Sequence, residues 1–331
     1  MVLRVLFFGI KPSDNLVMRD YIVNTVLGNY KCVIFYDTST ICDVLVYTCV
    51  DPSRQSIYGY SPSYRQVEDI VLKLKPKIII QLADECPQEH NEVHNLLGYI
   101  TNLFLRCHRH ESQLYTYTSK VEAIPLGYSN YIDLPLEIKP PQDRKYTWTW
   151  TGTLRPDRKQ MIQEFWRMWN NATFAFTNLN KEELGTIYNN SVFVPCGRGN
   201  FSLDCYRQYE ATIYGAIPVV MSSVSEFEAT FKFFDELPPW IVADTWEQAV
   251  TLCQQVQFDY PKLLELQTNN LAWWHRMVST MHSKITQALS LEVVQNLDIL
   301  ELNKSKVTPP QSVVYYPGDT KRDIDNRIFA C

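Results

Sequence analysis

The stretch SVFVPCGRGNFSLDCYRQYEATIYGAIPVVM, residues 191–221, decides the fold. It opens on an apolar, strand-like run (191–195) and turns through CGRGNFS (196–202). Helical spacing returns over LDCYRQYEATIY (203–214), Gly215 stands where helices end, and IPVVM (217–221) is a second apolar strand. Strand, turn, helix and strand make the crossover unit of a parallel sheet. Gly197 and Gly199 let the backbone turn tightly and approach a ligand closely, beyond the carboxyl end of a strand, where open α/β sheets bind. The helix that follows offers free N–H groups and a positive dipole end, which suit a diphosphate. Cys196, Gly197, Arg198, Gly199, Asn200 and Ser202 are the candidate contacts of the turn. Arg207 and Glu210 lie three apart on one helix face, the first able to meet phosphate, the second to accept ribose hydroxyls. A salt-bridged packing helix would carry the same spacing. The glycines lack the third member of GxGxxG and its downstream acid, and the turn is not GxxxxGK[ST].

Outward from this unit the alternation continues. YTWTWTGT (146–153) reads as a strand, 155–169 as a helix with Pro156 in its first turn, 172–178 as a strand and 179–190 as a short helix. Residues 239–243 suggest a further strand, and 246–256 and 260–288 read as helices. The first half alternates in the same way: strands at 3–9, 32–38, 43–50 and 77–85, with helices at 14–27, 63–74 and 92–106. Near-continuous apolar strands between helices predict parallel sheets covered on both faces. PLEIKPPQDRK (135–145) is polar and Pro-rich and is taken as the hinge. The expected organisation is an N-terminal Rossmann-like domain (1–138), a C-terminal Rossmann-like domain (139–303) whose last helices can cross back, and a polar tail (304–331).

Composition agrees. The chain has 331 residues, 46% apolar and 13% aromatic, enough for two domains of about 150 residues each. With 31 basic and 36 acidic residues the net charge is −5, which disfavours nucleic acid as a partner. The N-terminal MVLRVLFFGIKPSDN reads as a first strand rather than a signal sequence, and no run reaches the roughly 18 apolar residues of a membrane span. Nine cysteines without a CxxC or a framework spacing read as reduced, mostly buried thiols of a cytoplasmic protein without a structural zinc site.

The run SVFVPCGRGN…DCYRQYEATIYGAIPVV resembles the signature of exostosin-like glycosyltransferases, roughly S-F-C-P-x-G…R-x-x-E-A-x-x-x-G-x-I-P-V. Ser191, Phe193, Pro195, Gly197, Arg207, Glu210, Ala211, Gly215, Ile217, Pro218 and Val219 carry the likeness. QLADE (81–85), IPLGYS (124–129) and WTGTLRPDRKQMI (150–162) are similar to viral, algal and animal relatives, including ribitol xylosyltransferase-like proteins, so the resemblance spans residues 77–290. One departure is Cys196-Gly197-Arg198, where many relatives have Pro-Arg-Gly. The resemblance implies the GT-B fold, two doubly wound Rossmann-like domains facing across a cleft. It also implies sugar transfer from a nucleotide sugar bound by the C-terminal domain (139–303) to an acceptor bound by the N-terminal domain (1–138), usually with inversion, without a cofactor or an essential metal. UDP-xylose is the first donor to try, and a virus-encoded enzyme of the host cytoplasm fits the lack of an anchor. The expected partners are a nucleotide sugar and a glycan or glycoprotein acceptor, the enzyme being a monomer or weak homodimer. Two other readings stand beside it: a non-catalytic nucleotide-sugar or carbohydrate-binding protein with a degenerate GT-B site, and a nicotinamide-dependent oxidoreductase, which the missing fingerprint disfavours.

Further candidates follow from this reading. Gly152, Arg155, Arg158 and Lys159 follow a strand end and suit a diphosphate, Arg158 first because the resemblance places a basic residue there; a solvated helix face is the plainer account. Inverting transfer needs a base to deprotonate the acceptor hydroxyl. Asp84 ends an apolar strand and is the first choice, with Glu85 and Asp14 as alternatives; capping or salt-bridging would explain each of them too. Arg106, with His108, Arg109 and His110, is either a helix C-terminal cluster or an acceptor site, and Tyr128 in IPLGYS is a second acceptor candidate. Asp323-Ile324-Asp325 looks like a metal-binding DxD but sits in the polar tail. Trp273 and Trp274 are expected to pack rather than stack on sugar. Of the sequons at Asn171, Asn189, Asn200 and Asn303, a glycan on Asn200 would block the turn.

Overall fold

The computed structural model describes residues 1–10, 18–49, 62–83, 92–107, 120–152, 154–175, 179–199 and 203–304. Asp14, Asp84, Glu85, His108, Arg109, His110, Asn200, Ser202 and the Asp323/Asp325 pair lie outside these residues.

Among the described residues there are two all-parallel sheets. The first contains β1 (Val2–Phe8), β2 (Lys31–Phe35), β3 (Val44–Cys49), β4 (Ile78–Ala83), β5 (Leu103–Arg106) and β6 (Val121–Ala123), in the order β2-β1-β3-β4-β5-β6. The second contains β7 (Tyr146–Thr151), β8 (Ala172–Ala175), β9 (Ser191–Cys196), β10 (Ile217–Met221) and β11 (Ile241–Ala243), in the order β11-β10-β9-β7-β8. Val44–Val46 and Ile78–Ile80 are wholly buried, as strands covered on both faces must be. In the second sheet the chain leaves β7 towards β8 on one side and resumes with β9 on the other. The gap between the carboxyl ends of β7 and β9 is therefore a topological switch point, where doubly wound sheets bind ligands.

The helices are α1 (Arg19–Tyr21, running on as the π turn Ile22–Val26), α2 (Tyr64–Leu74), α3 (Pro156–Met168), α4 (Lys181–Asn189), α5 (Tyr206–Ile213), α6 (Val224–Phe231), α7 (Trp246–Val256), α8 (Tyr260–Ser290) and α9 (Leu297–Lys304). Reciprocal caps start two of them: Ser63 with Gln66 at α2, and Asn180 with Glu183 at α4. At 31 residues and about 46 Å, α8 packs on α5 and β10 of the second half and on the π turn, β4 and β5 of the first. Its Trp273 and Trp274 join Tyr21, Tyr209 and Trp240 in one aromatic cluster between the sheets, while His275 faces outward. The final helix, α9, returns to the first sheet, against the 3₁₀ run Glu92–Tyr99. Among the described residues no helix is long and apolar enough to cross a membrane. Cys42, Cys107, Cys196, Cys205 and Cys253 are buried free thiols, and Cys32 is a partly buried one.

The helix expected over 92–106 is corrected. Only Glu92–Tyr99 is helical, as 3₁₀, and Leu103–Arg106 is strand β5, paired with Ile78–Gln81. LFLR is a short apolar run that fits either state, and the open edge of β4 decides for strand. The polar stretch 135–145 is not a loose connection. Pro141–Asp143 forms a 3₁₀ turn, and Arg144 is buried against main-chain carbonyls on three sides.

Candidate functional site

β7 and β9 run in register, Tyr146 beside Ser191 and Trp148 beside Phe193, which brings Thr151 level with Cys196 at the switch point. Past Thr151 the chain reaches Gly152 at φ +130°, a conformation only glycine adopts easily. A Cβ there would collide with the Arg207 guanidinium, so the glycine is what lets the arginine lie against the strand end. Arg207, in the first turn of α5, donates from Nε to the Thr151 carbonyl (2.6 Å) and from Nη1 to Cys205 Sγ (3.7 Å), and its guanidinium lies 5.8 Å from the Trp150 ring centre. Burial works against its charge, but the surrounding Cys205, Tyr188, Cys196 and Glu210 outweigh it and raise its pKa.

Glu210, one turn further along α5, is 5% exposed. Its Oε1 accepts from the Ser129 backbone N–H (3.1 Å) and hydroxyl (2.7 Å), and its Oε2 from the Tyr188 hydroxyl (3.2 Å). Burial and the Glu210 charge raise the Tyr188 pKa far above its ordinary value, so this phenol stays a donor. Tyr188 also shares a hydrogen bond with Thr151 Oγ1 (3.1 Å). A continuous chain thus runs from Arg207 through Thr151, Tyr188 and Glu210 to Ser129, which belongs to the segment following β6.

The turn after β9 is held from beneath. Arg158, from the start of α3, is 5% exposed and donates from Nη2 to the Arg198 carbonyl (2.8 Å). Its stem lies so close to Gly197 that a Cβ there would be 3.0 Å from Arg158 Cγ. Cys205 caps α5, its N–H and thiol both donating to Gln208 Oε1 (3.0 and 2.6 Å).

Of the expected donor contacts, Gly152, Gly197, Gly199 and Arg207 come together at the switch point, with Glu210 beside them. Three side-chain expectations are corrected. Arg158, expected first of the cations at the diphosphate, braces the turn through the Arg198 carbonyl, and its burial also rules out the plainer solvated face. Arg198 is turned away into an ion pair with Glu226 of α6 (2.5 Å), which holds the Glu226 pKa down. The Cys196 side chain is buried, its thiol donating to the Val194 carbonyl, which leaves only backbone for a ligand. Arg155 is partly buried at the N-cap of α3, and Lys159 is exposed. Among the acceptor candidates, Arg106 is not at a helix end. It lies on β5, 2% exposed, bonded to Gln81 Oε1 (2.6 Å) and Asn95 Oδ1 (2.7 Å). Tyr128 is buried too, with its hydroxyl on Thr25 Oγ1 (2.9 Å), because its ring packs edge-on against Tyr21. Both polar tips are spent inside the fold, and a polar tip on a strand or loop carries no burial signal of its own in the sequence.

Several residues of the site went unread. Ser129 and Tyr188 could be found only through the fold, since 81 and 22 residues separate them from Glu210. Asp204 stood in plain view before the helix; it is 1% exposed, and its charge helps to raise the pKa of both Tyr209 and Tyr21, after burial itself. Tyr21 belongs to the first half, so Asp204 also reaches the seam. Among the described residues no cluster of three His, Cys, Asp or Glu side chains could hold a metal ion.

No family model matches the sequence and no curated protein aligns with it, so the exostosin resemblance rests on the motifs alone. Solved structures do match. An α-glucosyltransferase in complex with UDP and a 13-mer DNA containing a HMU base aligns at TM-score 0.54 and 10% identity, covering 88% of this chain and 100% of its own. An α-glucosyltransferase in complex with UDP aligns at 0.51 and 10%, covering 87% and 100%. HepE of Anabaena with UDP and glucose aligns at 0.48 and 10%, covering 87% and 99%. At this identity the first two fix the fold: the chain has the two Rossmann-like, parallel-sheet domains of GT-B glycosyltransferases.

Proposed function

We propose that the chain is a glycosyltransferase of the exostosin-like type, moving a sugar from a UDP-sugar, with UDP-xylose the first to try, to a hydroxyl of a glycan acceptor. The observation that carries this reading is the meeting of Gly152, the Gly197–Gly199 turn, the start of α5 and Arg207 at one switch point, with the Glu210 carboxylate beside them. This is cationic and rich in N–H donors where a diphosphate would lie, and it offers an acceptor where a ribose would lie. The UDP held by the α-glucosyltransferases of like fold supports uridine as the base. The DNA in one of those complexes is not carried over, because this chain has a net charge of −5.

In the proposed reaction the acceptor oxygen attacks the anomeric carbon on the face opposite the diphosphate. Its proton passes to a carboxylate, the bond to the diphosphate breaks, and UDP leaves with inversion. Asp84, following β4 in sequence, is the proposed base, with Glu85 and Asp14 as alternatives. Arg207, with Arg155 three residues after Gly152, and the α5 dipole offset the charge on the leaving group, so no metal is required.

Calorimetry with UDP, followed by turnover of a nucleotide-sugar panel with and without EDTA, tests the reading. Binding of UDP and EDTA-resistant turnover of a UDP-sugar are expected. Failure to bind any nucleotide would sink it, binding without turnover would favour a degenerate site, and activity lost to EDTA and restored by Mn²⁺ would overturn metal independence. Asp84→Asn is expected to lower kcat by about 10²–10⁴-fold with donor affinity kept.

A further inference from the structure

Resting on that reading, we infer that Ser129 is a positioning residue for nucleotide recognition: it holds the Glu210 carboxylate so that one oxygen is presented to the ribose hydroxyls. Each carboxylate oxygen can accept two hydrogen bonds. Oε1 of Glu210 takes both of its bonds from Ser129, from the N–H at 3.1 Å and the hydroxyl at 2.7 Å. Oε2 takes one, from Tyr188, and keeps one lone pair for a further donor. A two-point grip on one oxygen fixes the plane of the carboxylate, and with it the direction in which that lone pair points.

Ser129 is itself held firmly, within the half of the molecule that does not carry Glu210. The residue before it, Tyr128, is tied to Thr25 (2.9 Å), and the residue after it, Asn130, accepts from the Asp20 N–H (2.9 Å). Both partners belong to the α1 segment of the first half. The second sheet supplies the helix that carries Glu210, and the first half supplies the group that aims it. Ribose recognition therefore depends on the two halves standing in this relation, and nucleotide affinity is coupled to their closure.

The test is calorimetry with UDP and with 2′,3′-dideoxyuridine diphosphate, which has no ribose hydroxyls to offer. Ser129→Ala is expected to weaken UDP about tenfold and to leave the dideoxy nucleotide unchanged, because its effect passes only through Glu210. Ser129→Thr keeps the hydroxyl and restores UDP affinity; Ser129→Cys, a weak donor of similar volume, behaves as the alanine variant and serves if the latter folds poorly. An equal penalty on both nucleotides would mean a merely structural serine, and no penalty on either would mean that Glu210 is aimed by something else. If the wild type binds the two nucleotides equally, Glu210 does not meet the ribose and the inference falls while the UDP site stands. If it binds neither, the glycosyltransferase reading itself falls.

Discussion

Two arginines, 63 positions apart, sit in buried polar surroundings of the second half and do opposite things. Arg144, behind the sheet, uses all five of its N–H groups on main-chain carbonyls: Nε and Nη2 on Lys139, Nη1 on Tyr188 and Ser191, and Nη2 again on Tyr214. No carboxylate is among these partners, and burial pushes its pKa down to about 10, so it remains charged at neutral pH. Arg207, at the switch point, commits one N–H to the Thr151 carbonyl and one to a thiol, and stacks on Trp150. Arg144 ties the linker to α4, β9 and the end of α5. Arg207 keeps donors to spare beside a glycine that makes room for them. A buried arginine whose donors are all spent is a structural staple, and one held in place with donors left over is what the proposed diphosphate site calls for.

The sharpest way to break this contrast is to remove each in turn. Arg144→Met leaves the carbonyls of Tyr188, Ser191 and Tyr214 short of a donor, while that of Lys139 keeps Gln267 Nε2 (3.0 Å). Each unmet buried acceptor costs about 1–3 kcal/mol, so a loss of roughly 4–6 kcal/mol in urea unfolding is expected, allowing for incomplete additivity. The protein that stays folded should bind UDP as before. A loss below about 1 kcal/mol would show that the staple is dispensable. Arg207→Ala should invert the result: nucleotide affinity falls by about 1.5–3 kcal/mol, the range for a charged hydrogen bond, with stability nearly kept. A destabilised variant with unchanged UDP affinity would make Arg207 a second staple.

Gly152→Ala sharpens the comparison, because it acts on Arg207 through the backbone. At φ +130° the new Cβ strains the chain by about 1–3 kcal/mol and displaces the guanidinium. UDP affinity is expected to fall by about 1–1.5 kcal/mol, and to fall no further when Gly152→Ala is added to Arg207→Ala. Independent, additive losses of affinity would mean that the glycine meets the nucleotide itself.

The contrast also marks what could be read in the sequence. The alternation of apolar strands and helices, and the glycines after β7 and β9, placed the switch point, because local pattern and short spacing suffice for a βαβ unit. Arg207 was found because its helix starts at that turn. Arg158 and Arg198 were found as residues but not as roles: two cations near a turn look alike until Glu226, 28 positions on, claims one and the Arg198 carbonyl engages the other. Ser129 and Tyr188 act through contacts between segments far apart in the chain, for which periodicity gives no sign. In the first half, Arg106 was misplaced with β5, since a four-residue strand shows no period that a helix end lacks.

The first sheet offers a last and smaller test, on a polar cluster of the Arg144 kind. His94 is 2% exposed, its Nδ1 shares a hydrogen bond with Tyr47 OH (2.8 Å), and its ring stacks on Tyr47 and meets Tyr64 edge-on. Burial, and then the charge of Arg106, push its pKa down from the ordinary 6.5 to about 3. Between these two values the unfolded chain carries a proton on this ring and the folded chain does not. Stability is therefore fully present above pH 6.5 and falls as the pH drops towards 3, by at most about 1.4 kcal/mol per pH unit. Between pH 7 and pH 6 the expected loss from this one group is roughly 0.7 kcal/mol. Other groups titrate too, so the measure is the difference between wild type and His94→Gln, which keeps a neutral polar group and cannot take up the proton. Urea unfolding of both at pH 7 and pH 6 should show the wild type losing more, by that amount. UDP affinity should not separate the two proteins at either pH, since the ring packs on Tyr47 and Tyr64 while the groups proposed for the nucleotide gather about Arg207 and Glu210. Equal pH dependence in both proteins would mean that His94 takes up its proton in the fold as readily as in the unfolded chain. A variant that lost UDP affinity instead would place this cluster with Arg207 rather than with Arg144.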